Sequence, residues 1–123
     1  MLKPELIKAH LRLDDDEFTA QQALLTAYGR AAWRLVENRT GRTLIDVGPV
    51  LEGETWADLF AKLPEGSPEN AAPLDDDLTL AMLLVVAHWD KNREAVSENG
   101  VQTQQALPLA FDALIEPYRW ITL

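Results

Sequence analysis

The chain has 123 residues, 47% of them apolar and 25% charged, with eleven Lys and Arg against twenty Asp and Glu for a formal net charge of −9. That length predicts a single domain over 1–123 that buries about two-thirds of its surface, and the composition excludes a chain disordered throughout. The negative excess disfavours autonomous binding to nucleic-acid phosphates or anionic membranes, and the absence of cysteine removes disulfides, thiolate catalysis and Cys-based zinc sites and suits a reducing compartment.

The opening Met1-Leu2-Lys3-Pro4-Glu5 lacks the apolar stretch of a signal peptide. Pro4 suits a first helical turn, where its missing N–H loses no partner. Leu2, Leu6, Ala9 and Leu13 recur at helical spacing, so a short helix is expected at about 4–11. Asp14, Asp15, Asp16 and Glu17 come next, carboxylates placed to cap the free N–H groups of a second helix and to face its positive dipole end. That helix is expected to reach about Arg39. Ala20, Leu24, Ala27, Tyr28, Ala31 and Leu35 form its apolar stripe, widened by Leu25, Ala32 and Val36, and the alanines predict close approach by a neighbouring helix. Gly41 supplies the left-handed residue that closes it.

Residues 43–73 collect Gly48, Gly53, Gly66, Pro49, Pro64, Pro68 and Pro73, and predict an irregular excursion. Thr43 to Val47, the Gly48-Pro49 turn and Val50-Leu51 fit a small β-hairpin. Glu54 to Leu63 fits one or two helical turns with Trp56, Leu59, Phe60 and Leu63 on one face. An excursion of this length inside a compact domain tends to be functional or mobile. Asp75, Asp76 and Asp77 repeat the capping pattern and open a second long helix, expected to reach about Val96. It is apolar on every side from Leu80 to Ala87, which predicts burial all round, and this run is too short to span a bilayer. Ser97 to Gln105 is polar, with Asn99-Gly100 as a turn. A last helix opens at Pro108, buries Leu109, Phe111, Leu114 and Ile115, and stops before Pro117; Tyr118 to Leu123 forms an amphipathic tail. The fold class expected is all-α, a small bundle of two long antiparallel helices with a short helix at each end and the 43–73 excursion between them.

Chemistry has little support in these residues. The acidic clusters fail the EF-hand pattern, since Phe18 stands where the third ligand belongs and Thr19 where the glycine belongs. His10 and His88 lack an i+4 partner. Ser67 and Ser97, the only serines, lie in polar connectors without a nucleophile elbow, and no Gly-rich phosphate loop occurs. The residues thus point to no catalytic, cofactor or metal site, and the carboxylates read as a solvated acidic face. Of four tryptophans, Trp33 and Trp89 are assigned to the core. Trp56 and Trp120 lie where one chain has difficulty covering them, and exposed Trp marks interface hot spots. Arg39, Arg42, Arg93 and Arg119 predict ion pairs within the fold or across a subunit boundary rather than DNA readout.

Several segments, in order, carry a resemblance. Lys8-Ala9-His10-Leu11-Arg12-Leu13 before an acidic run, and a long helix ending in Thr40-Gly41-Arg42, resemble the opening of tailed-phage head–tail connector (head-completion adaptor) proteins. Ala87-His88-Trp89-Asp90-Lys91-Asn92-Arg93-Glu94-Ala95 is similar to the family's late-helix signature, with Asp90 where the family often carries an aromatic. Leu107-Pro108 followed by Leu114, Pro117, Tyr118 and Arg119 is similar to its C-terminal signature; residues 43–73 match no pattern of it.

The resemblance implies a non-enzymatic, mainly helical virion protein of a phage or prophage, assembled in the bacterial host cytoplasm without a cofactor. It implies a homo-oligomeric ring of about a dozen copies, built by heterologous contacts. Copies of the chain, the portal protein and the tail or stopper protein are then its partners, and double-stranded DNA passes through the ring without sequence-specific binding. An acidic lumen would repel DNA and let it slide. The expected contact residues are Trp56, Leu59 and Phe60 in the excursion, Arg93 late in the second long helix, and Tyr118, Arg119 and Trp120 in the tail. Two other classes stay open: a small acidic helical adaptor or regulator binding one protein partner, and an enzyme with an acidic helical pocket.

Overall fold

The computed structural model describes residues 2–92 and 109–120. In chain order these form α1 (Pro4–Leu11), α2 (Asp15–Thr40), β1 (Thr43–Ile45), α3 (Trp56–Phe60), β2 (Ala71–Pro73), α4 (Asp76–Lys91), α5 (Leu109–Ile115) and a closing 3-10 turn, Glu116–Tyr118. The fold is mostly helical, as expected.

The helix ends follow local chemistry. Asp14 opens α2 through a capping box: its carboxylate accepts the Glu17 N–H at 2.7 Å, and the Glu17 carboxylate accepts the Asp14 N–H at 3.1 Å. Gly41, at φ 72°, closes it by donating its N–H to the Glu37 carbonyl at 2.8 Å. Asp75 caps α4. The Lys8 ammonium pairs with the Asp15 carboxylate across the α1–α2 corner, and that hydrogen bond holds Asp15 below the usual carboxylate range.

The core lies where α2, α4 and α5 pack together, with α1 laid across α2 and α4. Leu25, Ala32 and Val36 meet Leu78, Ala81, Met82, Val85 and Val86, and Phe111 and Ile115 close the third side. At Gly29 an added Cβ would stand 3.2 Å from Ile7 Cδ1, so a residue without a side chain lets α1 settle against α2.

Several expectations are corrected. The 43–51 hairpin is not formed. β1 instead pairs in parallel with β2, Leu44 opposite Ala72. Asp46 accepts the Gly48 N–H at 2.9 Å, and Gly48 takes φ 94°; this tight local turn leads away from the strand rather than back along it. The buried face of α2 is Leu25, Gly29, Ala32, Trp33, Val36 and Thr40, rotated from the expected stripe, and Ala20, Ala27 and Ala31 are exposed. Trp33 is buried, whereas Trp89 is only half-buried. Leu80 and Leu109 are exposed, Leu109 at 87%. Phe111 and Ile115, four apart, take the core-facing stripe of α5 and leave Leu109 at its outer start. Helix α4 ends at Lys91 with Asn92 as its cap. The expectations for Arg93, the helix extension to Val96, the polar Ser97–Gln105 segment, the Pro108 start and Ile121 to Leu123 fall outside the described residues. Among the described residues no helix is long and apolar enough to cross a membrane.

Candidate functional site

The C-terminal end of α2 is where the excursion and the tail converge. Thr40, the last residue of α2, is buried, and its hydroxyl donates to the Val36 carbonyl at 2.7 Å. Its own carbonyl has no partner within the helix, as for any last-turn carbonyl. The Trp120 N–H supplies one at 2.6 Å and ties the tail to the helix end. Gly41 turns the chain, its carbonyl accepts from the Asn70 side chain at 3.0 Å, and Arg42 follows.

Arg42 is the hub. Its Nε–H donates to the Tyr118 carbonyl at 2.6 Å. Its guanidinium carbon stands 5.2 Å from the centre of the Trp120 ring and 5.9 Å from that of Phe60, both cation–π distances. Burial lowers its pKa below the usual guanidinium value, yet it stays a cation, because free guanidinium titrates so high. Trp56 completes the cluster, edge-on to Phe60 at 5.0 Å and to Tyr118 at 4.8 Å between ring centres.

The Tyr118 hydroxyl reaches the opposite wall. It stands 2.8 Å from Asp75 Oδ2 and 3.1 Å from Asp77 Oδ2 at the start of α4. Burial and then the two carboxylates push its pKa far above the ordinary phenol value, so it remains a neutral donor. Helix α3 is positioned by its own capping box, in which the Thr55 hydroxyl accepts the Asp58 N–H and the Asp58 carboxylate accepts the Thr55 N–H at 2.9 Å. Those hydrogen bonds hold Asp58 below the usual range, and the Lys62 ammonium, 2.6 Å away, does so for Glu54.

Of the sequence-predicted residues, Trp56, Phe60, Tyr118 and Trp120 come together in this one cluster. Leu59 is buried at 1% exposure beneath it and has no surface to offer. Arg119 is exposed beside it and, among the described residues, pairs only with Glu116, at 3.3 Å. Arg93 lies outside the described residues. Arg39 pairs with Asp112 across α2 and α5 at 3.5 Å, an exposed contact. Sequence reasoning missed the hub role of Arg42 and the clamp of Asp75 and Asp77 on Tyr118. The only local signal for the former was its place directly after the Gly41 cap, and for the latter there was none.

Among the described residues no three His, Asp or Glu side chains gather to hold a metal ion. The cluster offers half-exposed rings and two arginines, the residue types that anchor protein–protein contacts.

A family model described as phage gp6-like head–tail connector protein matches residues 5–119, and so runs from the first turn of α1 through the closing 3-10 turn, the excursion included. No curated protein and no solved structure matches the chain.

Proposed function

The chain belongs to the phage gp6-like head–tail connector family, a structural rather than enzymatic family, and from that premise we propose that it is one subunit of a homo-oligomeric ring of about a dozen copies. The ring joins the portal of the filled capsid to the tail or its stopper and lets double-stranded DNA through. The observation that carries this reading is the family match over residues 5–119.

In this reading α2 and α4 run antiparallel as the spine of the subunit. Tyr28, in the middle of α2, lies 5.9 Å from Trp89 near the end of α4, while Arg42 and Tyr118 tie the end of α2 to the start of α4. Trp56, Phe60, Tyr118, Arg119 and Trp120 form the contact surface, with Leu59 buried beneath it; Arg93, outside the described residues, is proposed as a contact of its own. The net charge of −9 supports an acidic lumen along which DNA slides without sticking. The subunit is made in the host cytoplasm and resides at the head–tail junction of the virion.

Negative-stain microscopy of the purified chain, alone and with its portal, tests this. Rings with a central opening are expected in at least one of the two samples. Single copies of the chain bound one-to-one to a partner, with no ring in either sample, would sink the proposal in favour of an adaptor. Within the ring-forming sample, Trp120→Ala and Trp56→Asp should each reduce the oligomer, as read by light scattering.

A further inference from the structure

A second surface borders the start of α4. Leu2 and Leu6 of the α1 region, Pro49 and Val50 of the turn after β1, and Leu74 line a half-open hollow of about 260 Å³. Leu6 is 40% exposed there although it is a large apolar side chain. Asp46 and Asp76 also line the hollow and are exposed, and among the described residues Lys3 is the one cation lining it. Asp46 accepts the Gly48 N–H, and among the described residues neither carboxylate has an ion pair.

The tail cluster presents the opposite chemistry. The Trp120 indole is 37% exposed, Arg119 is exposed and held only by Glu116, and Arg42 has no carboxylate partner among the described residues. One surface is aromatic and cationic, the other aliphatic and acidic, and they are different patches of the same chain. A closed ring needs such a pair, because each copy must offer one face to a different face of the next.

Resting on the connector reading above, we propose that the Arg119–Trp120 end of one copy docks in the Leu2–Leu6–Val50 hollow of a second copy. The indole covers Leu6, the exposed aliphatic side chain of the hollow, and the part-buried Val50 and Leu74 beside it, and the Arg119 guanidinium faces Asp46 and Asp76. Desolvated aromatic anchors supply the strength of such contacts, and complementary charge supplies their orientation.

The chain contains no cysteine, so introduced thiols report on one contact each. Val50→Cys, in the hollow, and Glu116→Cys, beside Arg119, are prepared as separate proteins, mixed, and treated with a bismaleimide. The mixed dimer is expected in about tenfold excess over a control pair, Asp16→Cys with Arg34→Cys. Adding Trp120→Ala to the Glu116→Cys protein should cut it several-fold. Asp76→Lys should do the same, and Arg119→Glu on the other partner should restore it; both positions are exposed, so the fold is kept. A yield no higher than the control, or one indifferent to Trp120→Ala, overturns the docking. Rings that still form with both Asp46→Lys and Asp76→Lys also overturn it while leaving the connector reading intact. Failure of that reading is seen separately, as the absence of rings with the portal.

Discussion

In the helical frame, Val36, Ala81, Val85 and Phe111 are each at 0% exposure and hold one another by packing alone. Around Arg42, by contrast, half-exposed rings and one cation meet through a few hydrogen bonds, and Trp120 keeps 37% of its surface in water. The frame loses stability as a unit when any large side chain is removed, because close-packed neighbours relax only partly. The cluster has fewer buried contacts and can open locally while the frame persists.

The largest test strikes the frame. Phe111→Ala should cost about 3–5 kcal/mol, read as a lower denaturant midpoint with an unchanged slope; a cost below about 1 kcal/mol would show α5 to be as loosely held as the tail. At the junction of the two regions, Gly41→Ala places a Cβ on a residue at φ 72° and should cost about 1–2 kcal/mol by the same assay.

Tyr118→Phe strikes the cluster alone. It removes the hydrogen bonds to Asp75 and Asp77 and should cost about 1 kcal/mol. Tryptophan fluorescence should shift while far-UV circular dichroism at low denaturant stays unchanged. Equal loss in both signals would mean that the cluster and frame are not separable. The raised pKa of Tyr118 sets a direction as well. A group whose folded pKa lies above its ordinary 10.0 contributes stability that is present below pH 10 and lost as pH rises past it. In a Tyr28→Phe background, phenolate absorbance should therefore appear only well above pH 10.

The smallest effect concerns α3. Asp58 is lowered by its hydrogen bonds to Thr55, and Glu54 by its hydrogen bond to Lys62, from ordinary values of 3.8 and 4.5. Depressed carboxylates contribute above those values and lose their contribution as pH falls below them. Acid titration should perturb tryptophan fluorescence near pH 4, through Trp56, before helix content falls. Asp58 is exposed and Glu54 is part-buried beside Lys62, and each makes only a few local hydrogen bonds, so the change should be slight and weaken further in salt.

The capping carboxylates, the Gly41 stop and the ends of α1 and α2 were legible in the chain because each depends on residues within about four positions. Trp56 and Trp120 were legible too, as tryptophans outside the two long helices. The rotated face of α2 was not, because many of its positions are small or apolar and Gly29 reads as a weak point until Ile7 is seen against it. The exposed Leu80 and Leu109 were illegible for a related reason: periodicity finds a stripe but not where a neighbour stops covering it.

By itself, then, the sequence determined a capped helical chain with a broken middle, an acidic surface and a family affiliation, since helix signals are local and a family pattern is linear. Only the tertiary structure decided that Thr43–Ile45 pairs with Ala71–Pro73 and that Arg42 gathers Phe60, Tyr118 and Trp120. Arg42 and Tyr118 are 76 positions apart. Contacts at that range form only when the packed frame has already offset the entropy of closing the chain between them, and nothing in the neighbourhood of either residue encodes the other.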